Sequence, residues 1–167
     1  MDTHHFRIRE AHPGDADLAA QWNAALAWET EHKRLDPDTV RAGVAAGIAD
    51  PARARYFIAM DDVALGGRET VGTPCGMLML TREWSDWRNG EWWWIQSVYV
   101  DPGHRRRGVY AALHRHVERL ARAAPCVVGL RLPGLRTRQR HHRNPRTRVR
   151  PGCTRRDGAP NSGSNTA

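Results

Sequence analysis

Ser97-Val98-Tyr99-Val100-Asp101-Pro102-Gly103-His104-Arg105-Arg106-Arg107-Gly108-Val109-Tyr110-Ala111-Ala112-Leu113 is the stretch on which the fold turns. A branched, apolar run stops at Asp-Pro-Gly. A basic loop with one glycine follows and opens a strongly amphipathic helix. Val109, Leu113, His116 (or Val117), Leu120 and Ala121 form its apolar stripe, with Arg115, Glu118, Arg119 and Arg122 outside. Ala123-Ala124-Pro125 ends it. Free N–H groups at a helix start, together with the positive end of the dipole, attract anions. Gly108 lets the backbone come close to a phosphate, and Arg105, Arg106 and Arg107 add charge-assisted donors. These features predict a phosphate-bearing ligand. The competing reading is a solvated basic helix start after an ordinary turn.

Upstream, Phe6-Arg7-Ile8-Arg9 alternates as a short first strand. Pro13-Gly14-Asp15 breaks it and can cap a helix over Ala16–Glu31, where Leu18, Trp22, Ala25, Leu26 and Trp28 share helical spacing. Asp36-Pro37-Asp38 opens a second helix toward Ile48. Tyr56–Met60 reads as a strand, Gly66-Gly67-Arg68-Glu69 as a turn, Cys75–Thr81 as a second strand and Trp92–Val100 as a third. Cys126–Leu132 follows the third helix as a final strand. This order predicts an α+β layer, with helices against a mixed, mostly antiparallel sheet.

The 167 residues carry a formal charge of +8. Met1–Pro133 holds 17 Lys+Arg and 17 Asp+Glu, so its net charge is zero. Gly134–Ala167 holds nine Arg and one Asp, no aromatic residue, and only Leu135, Val149, Cys153, Ala159 and Ala167 from the hydrophobic set. Two parts are therefore expected: a neutral globular domain over 1–133 and a basic, disordered tail over 134–167. Cys75, Cys126 and Cys153 are widely spaced and fit no zinc or redox pattern. Free thiols in a reducing cytoplasm are expected. No run approaches the roughly 20 apolar residues of a membrane helix, and no signal-peptide pattern opens the chain. His141-His142 with Cys153 fits no common metal site, so no metal is expected.

The strand–Val-x-Pro-x-x-Arg-x-x-Gly-Val–helix pattern resembles the acyl-CoA-binding motif of the GNAT (GCN5-related N-acetyltransferase) superfamily. The family's loop reads Gln/Arg-x-x-Gly-x-Gly/Ala; Arg105 and Gly108 match it, and Tyr110 replaces the small third residue. The resemblance covers about Phe6 to Leu132, and Glu83–Val100 is similar to a bacterial subgroup of undefined substrate. It implies a three-layer α/β arrangement. It implies an acetyl-CoA pantetheine arm on the backbone of Val98 and Val100, and a pyrophosphate on the amides from Arg105 through Arg106, Arg107, Gly108 and Val109 to Tyr110. It implies direct attack on the acyl carbonyl by a neutral amine of a small-molecule or peptide acceptor, without a covalent enzyme intermediate.

The resemblance also implies a base near the central strand. Gln96 has a suitable place but cannot take a proton. Glu29 and Glu83 are the main candidates, with Glu31 and Glu91 beside them. Trp84 and Trp87 are expected to line an acceptor pocket, and Trp92–Trp94 to pack on both faces of the sheet. His104, His114 and His116 are read as exposed or packing, and His4 and His5 as ordinary terminal residues. A homodimer is one expected assembly.

Members of the family continue with a further helix, often carrying a tyrosine, and two closing strands. Here no Tyr follows Tyr110, so the domain is read as lacking these elements; an N-acyltransferase is expected, with a truncated and inactive form of it as the variant reading. The chain has 25 Arg against one Lys, the signature of GC-rich coding DNA, and an Arg/Pro/Gly/His/Thr tail is what such DNA yields out of frame. We read the tail as a frameshift product. The alternative, from another functional class, is a non-catalytic protein whose basic arm contacts nucleic acid or an acidic partner without sequence preference. Sequencing the gene decides between them. A shifted frame encoding a tyrosine-bearing helix and a closing strand is expected, and its absence contradicts the frameshift.

Overall fold

The computed structural model describes residues 6–62, 72–124 and 127–131. In chain order these form β1 (Phe6–Glu10), α1 (Ala16–Glu31), α2 (Pro37–Ala49), β2 (Arg55–Asp61), β3 (Thr73–Ser85), β4 (Gly90–Val100), α3 (Val109–Ala123) and β5 (Val127–Arg131). The strands lie side by side in sequence order. Neighbours from β1 to β4 run antiparallel, and β5 runs parallel to β4. This is the mixed, mostly antiparallel sheet with flanking helices that the element order predicts.

Alternation along each strand sorts the core into two layers. Phe57, Ala59, Leu78, Leu80, Trp93 and Ile95 pack beneath Val109, Leu113, Val117 and Ala121 of α3. Tyr56, Ile58, Met60, Met77 and Tyr99 pack on the other face, against Ala19 and Trp22 of α1 and Val44 of α2. Both faces are covered, so Tyr56–Asp61 is buried without interruption. Fully buried side chains such as Phe57, Ile58, Leu78 and Leu113 each contribute about 1.5–3 kcal/mol. The apolar stripe of α3 runs through Val117, while His116 is half-buried against the Phe57 ring, 5.3 Å between centres.

The β3–β4 hairpin is longer than the apolar pattern predicts. Pairing runs from Gly76 opposite Val100 to Ser85 opposite Gly90, closed by an Asp86–Arg88 turn and by Asn89 at φ 47°. Past Thr81 the β3 side chains of Arg82, Glu83 and Trp84 are exposed, so the apolar alternation ends before the strand does. Glu83 and Glu91 therefore sit within strands, not beside a loop. The Gly66–Glu69 turn, Cys126 and the tail lie outside the described residues.

One irregularity sets the parity of β4. Ser97 pairs with Met79 but Ile95 pairs with Leu80, leaving Gln96 as an extra, bulged residue. Trp93 and Ile95 before the bulge, and Val98 and Val100 after it, consequently all face α3.

Asp15 does not cap α1 as its position suggests; it makes no side-chain cap bond there. Its carboxylate instead takes both terminal nitrogens of Arg9 at 2.7 Å and the His12 N–H at 2.8 Å. Asp36 does cap α2, accepting the Thr39 N–H at 2.8 Å. Burial alone would push the Asp15 carboxyl up, but the Arg9 and His12 hydrogen bonds and the Arg9 charge outweigh it and hold it below its usual value. A carboxyl lowered in the folded state contributes stability above its unfolded pKa and loses it as pH falls through the folded one. Asp15→Asn should therefore cost about 1–3 kcal/mol at neutral pH, with the gap to wild type closing as pH drops below about 4. Urea unfolding across that range checks this; a gap independent of pH contradicts it.

Candidate functional site

The site is built on a fork in the sheet. β5 pairs with β4 only over Glu91–Trp94, opposite Val127–Arg131. From Ile95 onward no described residue pairs with that edge. Asp101 N–H donates to the Cys75 carbonyl at 3.0 Å, so Asp101, Tyr99 and Ser97 address β3. Alternate residues of a strand address opposite edges, so Val98 and Val100 turn their backbone groups toward the open side. Side chains fasten β5 to the closed half of the fork. A Cβ on Gly129 would stand 2.7 Å from the Trp92 ring, so only glycine lets that ring lie flat on β5. The Arg131 guanidinium lies 3.9 Å from the Trp92 ring centre and 5.3 Å from that of Trp94.

The open edge leads into the basic loop. The Asp101 carboxylate accepts the Gly103 N–H at 3.1 Å and pairs with Nδ1 of His104 at 2.9 Å. Arg106 and Gly108 both hold positive φ, 63° and 93°. The first bond of the α3 ladder is Ala112 N–H to the Gly108 carbonyl at 3.0 Å, so the amides of Val109, Tyr110 and Ala111 precede the ladder. A Cβ on Gly108 would meet nothing within 4 Å, so the space beside Gly108 is open. Val109 is buried and Tyr110 exposed, so Tyr110 turns away from the core and lies 5.9 Å from the His114 ring. Behind the loop, a Cβ on Gly76 would come within 2.9 Å of both the Tyr99 carbonyl and Val109. The bare backbone of β3 lets α3 begin against the sheet.

The three loop arginines, alike in sequence, are placed differently. Arg105 turns back over α1: its terminal nitrogen is 2.7 Å from Glu29, its Nε donates to the Val100 carbonyl at 3.0 Å, and its own N–H reaches the Pro102 carbonyl at 3.4 Å. Arg107 reaches the Asp61 carboxylate at 3.0 Å. Arg106 is exposed. His104, expected to be exposed or packing, is half-buried between Asp101 and Asp61, the latter 3.4 Å away. Asp61 carries no signal in the sequence, because it meets the loop only through the packing of β2 against it.

On the α1/α2 face, Tyr99 donates its hydroxyl to Glu29 at 3.2 Å and packs 6.0 Å from Trp22. Burial and the Glu29 charge push its phenol above the ordinary value, so it stays a protonated donor. Both Glu29 oxygens are thus engaged. Ser97, beside the bulge, has a buried hydroxyl without a hydrogen-bond partner among the described residues. Its cross-strand neighbour Met79 forms the floor of a cleft of about 500 Å³ between α1 and α2, walled by Leu26, Leu35, Val40 and Val44, with Asn23 and Glu31 as polar groups.

Glu83 lies on the same sheet face as Met79 and accepts the Trp94 indole N–H. Glu91 pairs with Arg82 on the opposite face, at 3.8 Å. Trp84 and Trp87 are exposed on the hairpin, and neither lines this cleft. Burial, reinforced by nearby Asp61, pushes the Cys75 thiol up to about 11, which makes it a poor nucleophile at neutral pH. Together the open edge and the helix start can hold an extended, amide-bearing chain that ends in an anion. The donor groups and the free space at Gly108 fit a pantetheine–pyrophosphate ligand.

The family described as Acetyltransferase (GNAT) matches residues 17–141 of the chain. A crystal structure of a possible acetyltransferase from Clostridium difficile 630 is 38% identical, covering 76% of this chain and 78% of its own, with a TM-score of 0.67. Two more distant structures share the fold. Ribosomal-protein-alanine N-acetyltransferase from Brucella melitensis biovar Abortus 2308 is 18% identical over 80% of this chain and 82% of its own, with a TM-score of 0.58. AAC(6')-Iy, in complex with the bisubstrate analog CoA-S-monomethyl-acetylneamine, is 17% identical over 77% and 78%, with a TM-score of 0.56. No protein of curated function matches the chain.

Proposed function

The chain belongs to the GNAT acetyltransferase family, and from that premise we propose that it carries an acetyl group from acetyl-CoA to an amine. The observation that carries this reading is the fork: no described strand pairs with the β4 edge at Val98 and Val100, where the Val100 carbonyl accepts the Arg105 side chain, and that edge runs into the first amides of α3. Val98 would pair with the pantetheine amides as an added strand would. The amides of Val109, Tyr110 and Ala111, with the dipole of α3, would hold the pyrophosphate. Arg106 is the loop guanidinium positioned to add charge. Acetyl-CoA held there would supply an activated acyl carbon; the acceptor nitrogen would gain the C–N bond and lose a proton, and CoA would leave with its sulfur reprotonated as the thiol.

The acceptor would enter from the α1/α2 face, where the cleft between the helices reaches Met79, the cross-strand neighbour of Ser97. Apolar walls with one carboxylate, Glu31, suit a primary amine on an apolar body. Glu29 is tied on both oxygens by Tyr99 and Arg105, which leaves Glu83 as the less committed of the two carboxylates expected to take the amine's proton. The family likeness to an enzyme that holds a CoA bisubstrate analog supports this donor for the present chain.

Two measurements test the reading. Gly108→Asp places a side chain and a negative charge at the open, positive-φ start of α3; it should lower Tm by a few degrees through backbone strain and weaken CoA binding at least tenfold in isothermal titration below that Tm, and unchanged affinity rejects the loop assignment. With an active acceptor in hand, Glu83→Gln should lower kcat by about 100-fold and leave the KM for acetyl-CoA unmoved. An unchanged kcat removes Glu83 from the mechanism.

A further inference from the structure

We propose that Asp61 is a positioning residue for the donor: from the end of β2 it clamps the phosphate-binding loop into shape. The inference rests on the reading of that loop given above. Asp61 is nine-tenths buried, and its Oδ2 lies 3.0 Å from Arg107 and 3.4 Å from Nε2 of His104. A carboxylate this buried must be paired, because a lone charge there would be costly. It pairs with the two residues that bracket Arg105 and Arg106, so one side chain fixes both ends of the turn. His104 is also held from the other side by Asp101 at 2.9 Å, and the Arg107 guanidinium lies 6.0 Å from the Phe6 ring, on the residue paired with Asp61 across β1 and β2.

The turn needs such a clamp. Arg106 sits at φ 63°, a left-handed conformation that a residue with a side chain adopts at a cost, and Gly108 follows at 93°. Left alone, a basic segment with two positive-φ residues has many conformations, and few of them aim successive N–H groups at one anion. Buried attachment at 104 and 107 selects one. It also explains why the three arginines do not act alike: Arg107 spends its guanidinium on Asp61, and its contribution to phosphate binding runs through the backbone it holds.

A positioning role separates from a merely structural one through the part of the ligand affected. Acetyl-CoA uses the loop, whereas S-acetyl-pantetheine, which lacks the pyrophosphate, uses only the β4 edge. Asp61→Asn keeps size and shape but drops the charge. It should weaken CoA binding by about tenfold in isothermal titration while leaving S-acetyl-pantetheine binding, followed by NMR, within twofold. His104→Gln should show a smaller loss in the same direction. The Asp61→Asn/Arg107→Gln double variant should lose no more than the larger single loss, because both changes open one clamp. An equal loss for both ligands marks general damage and overturns the proposal. So does tighter CoA binding by Asp61→Asn, which would mean that Asp61 withholds Arg107 from the phosphates. Wild-type protein that binds S-acetyl-pantetheine and CoA equally refutes the loop reading itself, whatever the variants do.

Discussion

Everything distinctive in this fold follows from β4 having two edges with different fates. One edge pairs with β3 along its length; the other pairs with β5 for four residues, and beyond Trp94 no described residue pairs with it. An unpaired strand edge is ordinarily a liability, a row of backbone groups in search of a partner. Here it lies between two helical layers and points into a helix start whose amides are also unpaired. The two sets of orphan groups lie end to end, and a ligand with an extended amide chain and a terminal anion satisfies both. The bulge at Gln96 makes this workable, because it keeps Val98 and Val100 on the α3 face while turning Ser97 and Tyr99 toward α1.

The scaffold was legible because its signals are local. Val109, Leu113 and Val117 declare α3 by spacing alone, Asp36-Pro37 declares α2, and the Pro-Gly break after Val100 followed by Gly108 marks the anion site. The long polar end of the β3–β4 hairpin was not legible. The strand read from sequence stops at Thr81, since nothing in the hydropathy of Arg82 and Glu83 reveals backbone pairing with Trp93 and Trp92. The β4 bulge was legible only as a break in parity between Ile95 and Val98.

The electrostatic wiring of the site was legible least. Arg105, Arg106 and Arg107 are identical letters, yet one ties α1 to the loop, one is exposed and one serves a buried aspartate. Which does which depends on Glu29 and Asp61, which packing brings to the loop from distant parts of the chain. Asp15 makes the same point: its place before α1 suggests a cap, while the sheet-end Arg9 claims its carboxylate. Local rules name the residue types a site needs; the tertiary fold decides which copy performs each task.

The central claim is that one continuous surface, the open edge of β4 and the start of α3, holds the acyl donor. Backbone amide NMR of the 15N-labelled protein titrated with CoA addresses it most directly. The account predicts that the amides of Val98, Val100, Gly108, Val109, Tyr110 and Ala111 move together, with one saturation curve, while those of β1 and α2 stay still. If CoA saturates the protein and these amides do not respond, or if the shifts gather in the cleft between α1 and α2, the fork is not the donor site.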